Sequence, residues 1–220
     1  MKTRYFAACI ALVAVALGAT FLTWTHLPAR VPLHWNVHGQ VDMHGPRWML
    51  LAIGPGAMLA ELALFAVLPV LSPKRYGLDA FSATYLRIML AAVALGGYIT
   101  AVLLWVALTG HLDVSGALLG GVSAFLVALG NVMGKVRRNF FVGIRTPWTL
   151  ASERVWHDTH RVAGKSIVAT GLLSFAAALV GGLGGIAAWI AIVLAGVTIP
   201  VVYSFVHYKA LEREGTLEAS

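Results

Sequence analysis

The stretch IMLAAVALGGYITAVLLWVALT, Ile88 to Thr109, runs for 22 residues without one charged side chain. At about 1.5 Å per residue, such a helix covers the ~30 Å of a bilayer's hydrocarbon core, which needs ~20 apolar residues. A helix apolar on every side has no solvent face, so it sits in lipid or at the centre of a large core. Composition decides for lipid: 59% of the 220 residues are hydrophobic and 11% charged, against roughly 25% charged in a soluble domain. Five further blocks of this kind flank the first: Tyr5–Thr25, Met49–Leu71, Ser115–Met133, Ile167–Leu183 and Ile186–Val206. The last two are separated only by Gly181–Gly185, read as a tight turn. Merging them would give one run of about 40 residues, twice what a bilayer needs. The expected fold is therefore all-α: an integral membrane bundle of six transmembrane helices.

The bases orient it. With the N-terminus inside, the inner segments hold fourteen of the sixteen Lys and Arg residues, and only Arg30 and Arg47 fall outside. The inner ones include Lys2 and Arg4, then Lys74, Arg75 and Arg87, then seven between Lys135 and Lys165, then Lys209 and Arg213. Bases concentrate on the cytoplasmic side of membrane proteins, so both termini are expected there. The formal charge of +7 does not point to direct nucleic-acid binding, because the bases lie between apolar blocks. Lipid is the expected partner. A signal peptide is the alternative reading of the N-terminus, with small residues at Ala16–Gly18, but the apolar run continues past them to Thr25. Cys9, the single cysteine, can form no internal disulfide and is read as a lipid-facing or packing residue.

Three places carry more polarity than spanning requires. The outer loop, Leu27 to Trp48, holds His34, His38 and His44 with Asn36, Gly39 and Asp42. His and Asp are ordinary zinc ligands, but Pro32 and Gly39 bracket the HxxxH spacing and favour an extended or turned chain over a helix. A hydrogen-bonded loop anchored by Trp35 and Trp48 explains the same residues without a metal. The second place is Glu61, inside the second span, where an acid costs roughly 2.5–3.5 kcal/mol and is by default a functional hypothesis. Asn131, Thr100, Thr170 or Tyr203 are its candidate hydrogen-bond partners. It serves either to lock helices together or to carry ions. The third place is Gly134 to Lys165, expected in the cytosol. Thr146-Pro147 reads as an N-cap with proline at the first helical position. Trp148, Ala151, Val155, Thr159 and Val162 then recur at helical spacing, with Trp156 beside them. That predicts a cytosolic amphipathic helix between spans four and five, lying on the inner leaflet or feeding directly into the fifth span.

These residues also carry a resemblance. Gly130-Asn131, Lys135, Asn139, the run Gly143-Ile144-Arg145-Thr146-Pro147-Trp148-Thr149-Leu150, Val155-Trp156 and Thr159-His160-Arg161 resemble the hallmark block of the SdpI family of bacterial membrane proteins. Leu27-Pro28, Val31-Pro32, His34-Trp35-Asn36, Gly39 and Asp42 resemble the N-terminal domain of unknown function that often accompanies it. The resemblance implies a protein of the bacterial inner membrane that protects its cell from a secreted peptide toxin, of the SDP type, that collapses the proton-motive force. It also implies signalling, by capture of a transcriptional repressor at the membrane. His34, Asn36, Gly39 and Asp42 would then meet the toxin. Asn131, Asn139, Gly143, Arg145, Thr146, Pro147, Trp148, Trp156, His160 and Arg161 would form the cytosolic signature that holds a partner. Prolines that the family often has near Gly134 and Arg138 are missing here, which should loosen the link between the fourth span and Asn139.

The expected division is 1–72 for a two-span domain with the His/Asn/Asp loop, 73–114 for a connecting third span, and 115–220 for the SdpI-like domain. The rival reading is a transporter using Glu61, although no inverted repeat accompanies it. A metal enzyme built on His34, His38, Asp42 and His44 would lack a nucleophile or general-base motif. No catalytic residue and no cofactor are expected.

Overall fold

A computed structural model describes residues 2–73, 77–110 and 113–217; Lys74 and Arg75, used above for orientation, lie outside the described residues. The elements are α1 (Lys2–Thr23), β1 (Arg30–Trp35), β2 (Val41–Pro46), α2 (Met49–Leu51), a π-helical turn (Ala52–Gly56), α3 (Ala57–Leu71), α4 (Ser82–Thr109), α5 (Val114–Met133), α6 (Pro147–Ala151), α7 (Glu153–Val180) and α8 (Gly182–Arg213). Six helical stretches are long and apolar enough to cross a membrane: Lys2–Thr23, Met49–Leu71, Asp79–Thr109, Val114–Met133, Glu153–Val180 and Gly182–Arg213. Their outer faces are apolar too, with Leu22, Val70, Leu179 and Val180 among the most exposed side chains. That is the surface of a bundle solvated by lipid.

The all-α expectation needs one correction. Residues 30–46 form an antiparallel two-stranded sheet, because Pro32 and the positive φ of Gly39 suit strand and turn but not helix. Val31 and Leu27 root this hairpin among Leu50, Leu103 and Leu104, while Trp35 packs on Val102, Val106 and Val114. Arg47 ties its base to the turn that follows α1, donating to the Trp24 and Leu27 carbonyls at 3.1 and 3.3 Å.

Three prolines sit inside spans, and two of them, Pro69 and Pro200, each leave the carbonyl four residues earlier without its N–H. In lipid such a carbonyl has no water to turn to. Tyr85 of α4 fills the place for Pro69, its hydroxyl donating to the Phe65 carbonyl at 2.7 Å. Ser166 of α7 does the same for Pro200, donating to the Gly196 carbonyl at 2.9 Å. A third proline, Pro55, lies in the π turn that interrupts the second span, where Gly54 is non-helical.

The C-terminal helices approach closely because small residues line the contacts, the usual basis of helix packing in membranes. A Cβ on Gly130 would lie 2.7 Å from the Val168 nitrogen, and one on Gly171 2.8 Å from the Ser123 carbonyl. Ser174 and Trp189 both donate to the Ser123 hydroxyl, at 2.9 and 2.8 Å, joining α5, α7 and α8. The turn between α7 and α8 is shorter than Gly181–Gly185: it is made at Gly181, and α8 begins at Gly182. Gly185 is already helical and pressed against the Ala177 carbonyl.

Candidate functional site

The segment between α5 and α7 is irregular in backbone yet held tightly. Asn139 is fully buried. Its Nδ2 donates to the Arg137 and Val142 carbonyls, both at 2.8 Å, and its Oδ1 accepts from the Phe141 and Val142 nitrogens at 2.8 and 2.7 Å. An amide side chain has two donors and two acceptor sites, so Asn139 is saturated by the loop it closes. Trp156, also fully buried, donates from Nε1 to the Val136 carbonyl at 2.8 Å. Arg138 donates to the Leu150 carbonyl at 3.1 Å. Where the family's prolines are missing, these side-chain bonds restrain the segment.

His160 stacks on Trp156 with centroids 4.1 Å apart and planes at 19°. Its Nε2 accepts from the Ile144 nitrogen at 3.0 Å, so Nδ1 carries the proton and donates to the Trp156 carbonyl at 2.8 Å. These two bonds define a neutral imidazole in one tautomer. Gly143 makes the approach feasible. Its φ is +116°, and a Cβ there would lie 2.3 Å from His160 Nε2.

Thr146 caps α6 with Pro147 at the first position, as read from the sequence, and Thr149 completes a reciprocal capping box. The amphipathic stretch then divides at Ser152, whose extended backbone ends α6 and whose hydroxyl caps α7 by accepting from the Val155 nitrogen. Of the two placements open for it, the structure takes the second: Glu153 onward is the first part of the helix that becomes the fifth span. Val155, Trp156, Thr159 and His160 face inward, all fully buried. Trp148 donates to the Ser204 hydroxyl of α8 and meets Phe205 edge-on at 5.2 Å. Asp158 accepts from His207 of α8 at 2.9 Å, and Tyr203 stacks on that imidazole.

The ten signature residues therefore divide. Asn139, Gly143, Thr146, Trp148, Trp156 and His160 have internal partners that hold the segment together. Asn131, Arg145, Pro147 and Arg161 are exposed, although Arg145 also donates to the Phe140 carbonyl. The Asp158–His207 and Trp148–Ser204 links were not legible from sequence, since 49 and 56 residues separate the partners. The Ser152 cap had a signal, a serine followed by an acid at the first helical position.

At the other end, the hairpin carries an exposed polar face. His34 Nδ1 lies 2.6 Å from Asp42 Oδ1, across the two strands. Asn36 organises the turn: Oδ1 accepts from the His38 and Gln40 nitrogens at 2.9 and 3.0 Å, and Gly39 takes the positive φ. His38 and His44 are exposed, and among the described residues no three His, Cys, Asp or Glu side chains converge as a ligand set.

Glu61 is half-buried on α3 beside Gly96 of α4. None of its four expected partners bonds it. Thr100 donates to the Gly96 carbonyl, Thr170 packs on Gly196, Tyr203 stacks on His207 and Asn131 is exposed. Cys9 is a packing residue, fully buried with Met58 and Leu62.

Six spans, a folded hairpin at one end and a saturated loop at the other define a multi-pass membrane protein of two joined sequence segments. Residues 135–204 match the SdpI/YfhL protein family and residues 11–59 match a domain of unknown function, DUF1648. The first of these segments, which carries the GIRTPWT block, is thus similar to the SdpI family. It is 26% identical to the immunity protein SdpI of Bacillus subtilis (strain 168) over 202 residues, 92% of this chain and 95% of that protein. No solved structure matches the chain.

Proposed function

We propose that this chain is an SdpI-like immunity protein of the bacterial cytoplasmic membrane, giving resistance to a secreted peptide toxin. The observation that carries the reading is the likeness to an immunity protein along 92% of the chain, through both the hairpin-bearing and the GIRTPWT-bearing segments. The bases set the sidedness: the end with the termini and the Asn139 loop lies in the cytosol, and the hairpin lies outside. Residues 1–72 form the two-span unit that presents the hairpin, 73–114 the connector, and 115–220 the SdpI-like unit. His34, Asn36, Gly39 and Asp42 meet the toxin. A toxin-sensitive bacterium expressing the chain should survive a dose of depolarising SDP-type peptide that kills the empty-vector strain. Equal killing of the two strains would end the proposal.

The signalling half concerns the other end. A transcriptional repressor held at the membrane would engage side chains that the fold leaves exposed, Arg145 foremost. Toxin at the hairpin can change repressor affinity only if the bundle has two states that the two partners prefer differently. Arg145→Ala should lower the repressor's membrane-bound fraction several-fold at unchanged insertion, read by fractionation and blotting. Unaltered capture would remove Arg145 from the surface.

A further inference from the structure

We infer that α7 carries a site for one anionic diacyl phospholipid, an assignment independent of the immunity reading. Two grooves of similar size run along this helix, one of about 560 Å³ against α5 and one of about 510 Å³ against α8. Lys165 and Ala169 line both, so they form the ridge between them. The head of the first groove is polar: Arg161 and Lys165, one turn apart on α7, stand beside Asn131 of α5. Neither cation has an acid within ion-pair distance among the described residues. Further along the same helix face the lining becomes apolar, through Val168, Ala169 and Leu172. The second groove descends from the same lysine past Leu173, Ile192 and Ile199.

This arrangement matches one ligand chemistry. A phosphate at the fork meets two cations and an amide donor, and one acyl chain lies in each groove. Basic pockets between spans at a membrane interface are where anionic headgroups bind. Gly130, Gly134 and Gly164 line the first groove, and a Cβ on Gly130 or Gly164 would press on the facing backbone, so these two set the close approach of the groove's walls. A diffuse attraction of basic residues to an anionic surface would need neither the fork nor the paired apolar channels.

The test uses the purified full chain in detergent, titrated with phosphatidylglycerol or phosphatidylcholine and read by native mass spectrometry. One phosphatidylglycerol should be retained at least five-fold over phosphatidylcholine. Arg161→Gln/Lys165→Gln should abolish that preference. Arg154→Gln/Arg213→Gln, which removes the same charge outside the grooves, should keep it. Ala169→Trp, which fills the ridge without touching a charge, should also reduce retention several-fold. Equal retention of the two lipids by the wild type overturns the site, as does an equal loss in the control pair. Undiminished retention in Ala169→Trp overturns the two-groove placement of the tails.

Discussion

Trp156→Ala is expected to destabilise the C-terminal half by about 3–5 kcal/mol, the usual cost of deleting a fully buried tryptophan. The side chain is completely enclosed among Leu78, Tyr85, Val132 and Val136. Removing it also orphans the Val136 carbonyl and takes away the face on which His160 stacks. The damage should be local first. Trypsin should reach Arg138 and Arg145 at least ten-fold faster in detergent-solubilised protein, because the loop carrying both depends on that indole. Trp156→Phe keeps a ring for His160 and loses chiefly the hydrogen bond, so it should cost about 1–2 kcal/mol. If Trp156→Ala left the cleavage rate unchanged, the loop would be held by something other than this stack.

Gly143→Ala is the second substitution with a large expected effect, about 2–6 kcal/mol. An L side chain at φ +116° carries a backbone cost of about 1–3 kcal/mol. The new Cβ would lie 2.3 Å from His160 Nε2, so the imidazole must move and break its bond to the Ile144 nitrogen. A buried N–H left unpaired adds about 1–3 kcal/mol. The two contributions separate in a double-mutant cycle read by unfolding of the purified protein. In a His160→Ala background the clash is gone, and Gly143→Ala should cost only the backbone share. Equal costs in both backgrounds would show that the ring is not what excludes the methyl.

These two residues show how far the sequence could be read. The six spans were legible because lipid imposes one requirement on every residue of a span, and composition alone reports it. The hairpin was half legible: Pro32 and Gly39 exclude a helix, but nothing local says that His34 will face Asp42. The GIRTPWT block was legible as unusual and not as to purpose. Its odd residues looked like a surface for a partner, whereas Asn139 and Trp156 spend their polar atoms on backbone groups, and backbone groups leave no mark in a sequence. His160 finds its other partner, the Ile144 nitrogen, 16 residues away, beside a glycine whose role is to have no side chain. Ser152 breaks the amphipathic period because one residue takes an extended backbone, which periodicity averages over. Tyr85 and Ser166 serve prolines on other helices, so their use follows only from helix pairing.

The loop spends its buried polar groups on its own backbone, and the hairpin is the face we propose for a toxin. His34→Ala/Asp42→Ala removes an exposed pair worth at most ~1 kcal/mol to stability, so it tests recognition with the bundle intact. The decisive measurement is membrane potential, followed with a voltage-sensitive dye in a sensitive bacterium exposed to a depolarising SDP-type peptide. Three strains are compared, with the two proteins at equal membrane levels: wild type, the double variant and empty vector. The wild type should hold its potential while the other two collapse. Collapse of all three would contradict immunity to this toxin, and full protection by the double variant would contradict the hairpin as its face.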